Sequence, residues 1–177
     1  MLNQSKDKLA PLPLAERGET LEATLSVAKM ERLSELLAET TGEVVAKIEF
    51  GTDSEGIKYI SGSANADLVV ECQRCMQPVT VSVETEFKLG MVAGEDEAQE
   101  LSEDYDPLIV SEEMISLAAL IEDELILALP LVSMHEDTNC SPYVSEYLAE
   151  DSETESENEE DRVYPFAQLG EMLKNKQ

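Results

Sequence analysis

From residue 89 to residue 161 the chain carries 23 Asp and Glu and not one Lys or Arg. A run of 73 residues without a cation cannot neutralise its carboxylates from within. It either stays solvated and held open by self-repulsion, or it meets something cationic. The flanks differ from it. Residues 1–88 hold nine basic and fifteen acidic groups, and residues 162–177 hold three basic and one acidic. Over 177 residues the formal charge is −27. That charge argues against a basic face that grips phosphates, because such binding draws its affinity from neutralising them. It argues equally against a peripheral protein held by anionic lipid.

The length allows one domain with a real core, plus a tail. Aromatics are 5% of the chain and Trp is absent, so that core must come mostly from Leu, Ile, Val, Ala and Met. Met1 to Leu9 is polar and lacks the apolar stretch of a secretion signal. The longest apolar segment, Met114 to Val132, is interrupted by Glu122, Asp123 and Glu124 and by Pro130, which speaks against a membrane span. Three cysteines cannot all pair within one chain, so reduced thiols and a cytoplasmic location are expected.

Pattern along the chain predicts an α+β fold: an antiparallel β-meander packed against a buried helix. Pro11 and Pro13 suggest an extended start, and Met30, Leu33, Leu36 and Leu37 a helix over 28–39. Three strands follow, near 44–50, 57–72 and 79–91. The last alternates apolar and polar residues from Val79 to Met91. The segment 93–106 reads as an acidic loop and Pro107 to Val110 as a short strand. A helix is expected over 112–129, with Ser111 as its cap and Pro130 as its stop. That helix is apolar almost all round, as a buried helix would be. Helical geometry puts Glu124 among Leu117, Leu120, Ile121 and Ala128, where a carboxylate needs a partner or an exposed edge. The domain expected over 1–143 is followed by an acidic disordered linker over 144–163 and a short docking helix over 164–177.

One motif carries chemistry. Cys72-Gln73-Arg74-Cys75 falls at a strand-to-turn junction, where two sulfurs can point at one ion. His135 and Cys140 follow the buried helix and would complete a Cys3His set for structural zinc. The same residues also fit reduced thiols beside a β-turn. A redox site of thioredoxin type does not fit, because an alternating strand follows the motif rather than a helix. With one His and no phosphate-binding Gly pattern, no catalytic constellation can be assembled and no enzyme is expected.

Taken in order, several blocks resemble the YceD family of large ribosomal RNA subunit accumulation proteins. They are Val70 to Cys75, Tyr105 to Leu108, Ile121 to Val132, His135 with Cys140, and Pro165 to Leu169. The resemblance implies a bacterial cytoplasmic factor for the synthesis, processing or stability of large-subunit ribosomal RNA, with no enzymatic activity. It makes Glu122, Asp123 and Glu124 candidates for a partner-binding surface, and Arg74 lies inside its first block. A chain this acidic is repelled by RNA, so the expected partner is a basic ribosomal or assembly protein and the link to RNA indirect. The other reading is an acidic mimic that fills the groove of an RNA-binding factor. Arg74 and Lys88 are the cations through which a local RNA contact could still be made.

Overall fold

The computed structural model describes residues 8–111 and 114–141. Residues 1–136 form one compact unit and residues 137–177 a second, and all the helices and strands described belong to the first. The acidic linker and terminal helix expected over 144–177 lie outside the described residues, as do Glu112 and Glu113.

A five-stranded sheet of order β2-β3-β4-β5-β6 forms the scaffold. It comprises β2 (Thr20–Ser26), β3 (Glu43–Thr52), β4 (Lys58–Glu71), β5 (Pro78–Val92) and β6 (Asp106–Ile109). The expected meander holds from β2 to β5, where sequence neighbours pair antiparallel. It does not hold at β6, which runs parallel to β5 after a crossover through a short helix, α3 (Glu95–Glu100). Three acids in the first turn of α3 complement its dipole, so part of the expected acidic loop is helical. Pro107 is tolerated because β6 is an edge strand.

Alternation builds the core. Val44, Ala46, Ile48 and Phe50 of β3 are buried, while Val45, Lys47 and Glu49 between them are exposed. Ile60, Ala64 and Leu68 of β4 and Val83, Phe87 and Leu89 of β5 continue the inner face. Gly62 sits between Ile48 and Phe87 in register. A side-chain carbon there would come within 2.8 Å of the Phe87 ring, so the glycine makes room for it.

Against this face packs α4 (Leu117–Ala128), burying Leu117, Leu120, Ile121 and Leu125. The buried helix is present but begins later than its apolar run. Ile115 and Ser116 form β7 (Ile115–Ser116), which pairs with β1 (Lys8–Leu9), and the Ser116 hydroxyl, not Ser111, accepts from the Ala119 amide. Strand pairing thus claims residues that periodicity assigns to the helix. At the amino-terminal side the extended reading holds only for β1. Pro11 instead opens α1 (Pro11–Arg17), which Gly18 ends at φ +62°. The helix expected over 28–39 shrinks to a 3-10 turn, Val27–Lys29, and a single turn, α2 (Glu31–Ser34). Beyond it the Ala38 amide donates to the Val69 carbonyl at 2.8 Å, pulling the chain onto β4.

The β3–β4 turn is held by Asp53, whose carboxylate accepts from the Glu55 and Ile57 amides at 2.9 and 2.8 Å. The Tyr105 hydroxyl donates to the same carboxylate at 2.9 Å. Burial, then this bond to Asp53, pushes the Tyr105 phenol up from 10.0 to about 12. Tyr105→Phe is expected to lower stability by about 1 kcal/mol in urea unfolding. Because the folded state holds this proton longer, the deficit is full below pH 10 and closes as pH rises toward 12.

Candidate functional site

Cys72 to Gln77 connect β4 to β5. The Cys72 amide donates to the Gln77 carbonyl at 2.9 Å, and the Met76 amide to the Cys72 carbonyl at 2.8 Å. Met76 takes φ +60°, so the chain reverses tightly just after Cys75. Cys72 is fully buried. Burial raises its thiol, but the backbone N–H groups of Cys75, Arg74 and His135 and the Cys75 side chain lower it, to about 5. A sulfur ringed by amide donors is a place prepared for a thiolate.

The segment after α4 lies along this turn. The Gln73 amide donates to the Ser133 carbonyl at 2.9 Å, and the Gln73 side chain to the Leu131 carbonyl at 3.2 Å. These bonds bring His135 in, with its Nδ1 3.4 Å from the Cys75 sulfur. Its Nε2 lies 3.1 Å from the Pro78 carbonyl oxygen. A carbonyl only accepts, so Nε2 carries the proton and the Nδ1 lone pair faces the sulfur. A metal-binding histidine needs that arrangement, with one nitrogen free and the other N–H anchored.

Within the first unit the ligand atoms of Cys72, Cys75 and His135 thus lie within 4.8 Å of one another, while Cys140, the fourth residue that the spacing offers, belongs to the second unit. A tetrahedral zinc ion with Zn–S near 2.3 Å holds its sulfurs about 3.8 Å apart. None of the three cysteines is in a disulfide. Two thiols and an imidazole converging in one unit are donors for zinc rather than for calcium or magnesium.

The acidic triplet divides. Glu122 is 7% exposed: its carboxylate accepts from the Leu33 amide at 3.0 Å and from Arg32 at 3.2 Å, tying α4 to α2. Asp123 is exposed and pairs with the other Arg32 nitrogen at 2.6 Å. Glu124 is half-buried; burial raises its carboxyl, and the charges of Asp106 and Asp123 raise it further. The residue that enters the apolar interior is thus Glu122, not Glu124. Nothing in the local sequence marks Arg32, 90 positions away, as its partner. Glu122→Ala, which orphans the Leu33 amide, is expected to cost about 2 kcal/mol in urea unfolding. Arg74 sits on the Cys72 turn, with a guanidinium nitrogen 3.4 Å from the Met134 sulfur. Lys88 lies over the Tyr105 ring, 4.1 Å from its centre.

Among the described residues no helix is long and apolar enough to cross a membrane. The sequence profile of a family described as large ribosomal RNA subunit accumulation protein YceD matches residues 60–173. The protein of that name from Haemophilus influenzae is 34% identical over 139 residues, which cover 78% of this chain and 80% of that protein. No solved structure matches.

Proposed function

The chain belongs to the YceD family, and we propose that it supports accumulation of large-subunit ribosomal RNA by holding a basic protein, not by gripping the RNA. The observation that carries this reading is the 73-residue span with 23 carboxylates and no Lys or Arg. A charge of that kind repels a polyphosphate and attracts a ribosomal protein rich in Lys and Arg. Holding that protein keeps it soluble and away from stray RNA until it reaches its site. Large-subunit RNA would then be lost, without this chain, because its partner protein is lost.

The Cys3His group serves the reading as a staple. Cys72 and Cys75 from the β4–β5 turn and His135 with Cys140 beyond α4 would hold one zinc ion. Four protein ligands leave no open position, so the metal supplies folding energy and no catalysis. Neutralising thiolates with the ion also lets the turn pack without further cations.

The test is purification of the tagged full chain from cells at low and at high salt, with mass spectrometry of the proteins and measurement of the RNA. A basic ribosomal or assembly protein recovered at low salt and lost at high salt is the expected result. RNA that stays bound after proteolysis of everything but the chain itself, with no basic protein, contradicts it. A ribonuclease recovered instead, and inhibited, replaces it with nucleic-acid mimicry.

A further inference from the structure

The edge strand β6 looks across a cleft to α4 and β7. The cleft encloses about 590 Å³. Ile109, Met114 and Leu127 line it and are 46%, 41% and 80% exposed. Three large apolar side chains left in water around one opening form a surface that gains by being covered. Asp106 on β6 and Asp123 and Glu124 on α4 also line the cleft, and among the described residues no Lys, Arg or His does. Asp123 is engaged by Arg32. Among the described residues no ion pair reaches Asp106 or Glu124.

Resting on the reading that the chain holds a basic protein, we propose that this cleft is the place where it does so. Its occupant is a short segment of the partner in which apolar side chains are flanked by Lys or Arg. Each half of that description has its own cause. The apolar walls require apolar anchors, since a uniformly charged segment would leave Leu127 and Ile109 wet. The rim requires cations, since an apolar or acidic segment would leave Asp106 and Glu124 uncompensated as water is displaced. Nucleic acid fails on both counts. A second copy of this chain would bring the same three carboxylates, and a charge of −27, to an already negative rim.

The probe is a short fluorescent peptide alternating Leu and Lys, titrated into the full chain at near-physiological salt. The peptide binds, and a version with Ser for Leu binds at least about tenfold more weakly at equal charge. Glu124→Lys and Leu127→Arg each weaken binding about tenfold or more. Both side chains reach solvent, so the variants should unfold like wild type. Equal binding of the two peptides, or no effect of either variant, overturns the proposal in favour of diffuse charge attraction. Leu127→benzoylphenylalanine gives an independent check. Photocrosslinks to the added peptide support the cleft, whereas crosslinks only to residues 162–177 of the same chain, or to a second copy, overturn it. If a basic ribosomal protein binds wild type and Glu124→Lys alike, the cleft is wrong and the functional reading stands. If no basic protein binds at all, both fall.

Discussion

Replacing Cys72 with Ser should abolish stoichiometric metal binding and lower the stability of the fold. Ser keeps the shape but offers a smaller hydroxyl in place of the sulfur that the Cys75, Arg74 and His135 amides surround. A metal held at a thousand times its dissociation constant stabilises the fold by about 4 kcal/mol. Zinc-loaded wild type should therefore lose about that much stability on treatment with a chelator, and Cys72→Ser should start from the lower value and not respond. Elemental analysis should find one zinc per wild-type chain and none in the variant. The imidazole adds a second handle, because the Pro78 carbonyl fixes the tautomer that presents Nδ1. His135→Ala should weaken zinc binding without abolishing it, since three thiols remain. Wild type that contains no metal after zinc loading, and is indifferent to chelator, would leave the four residues as ordinary thiols and a histidine beside a turn.

The second large effect is kinetic. If attraction between the 23 carboxylates of residues 89–161 and a basic protein drives capture, association should be fast at low salt and fall steeply as salt screens it. Electrostatically steered association exceeds unsteered association by about a hundredfold or more. Between dilute buffer and about 0.15 M salt, where the Debye length shortens to about 8 Å, the association rate measured by stopped flow should drop by about tenfold or more. Dissociation should change far less, because it is governed by the contacts already formed. An association rate flat with salt would mean that the charge is ballast for solubility and that the partner is recognised by other means.

Which parts of this structure the sequence discloses follows from where the information sits. β3, β4 and β5 are legible because one face of each is buried and the other wet, which writes a period of two into residues such as Val79 to Met91. The turn at Asp53 is legible because the residues that make its hydrogen bonds are local. α4 is legible as a helix but not in orientation, since apolar residues all round it leave no face for Glu122 or Glu124 to be judged against. Its late start depends on β1, more than a hundred residues earlier in the chain. The metal candidates can be picked one by one from spacing. Their convergence cannot, because it rests on the bond from Gln73 to Ser133 that sets the segment after α4 along the turn. The tautomer of His135 depends on a proline carbonyl 57 positions away. The cleft is invisible in the sequence because it is made by the parallel addition of β6, a strand that turn-sized connections alone would place differently.

On the proposed function, the chain acts on ribosomal RNA through a cationic protein. This is tested most directly by titrating purified large-subunit RNA with the full chain at physiological salt, first alone and then with a basic ribosomal protein already bound nonspecifically to the RNA. No complex between chain and RNA alone is expected, and the basic protein should pass from the RNA to the chain as the chain is added. A stable complex of chain and bare RNA, with the basic protein left where it was, would contradict it.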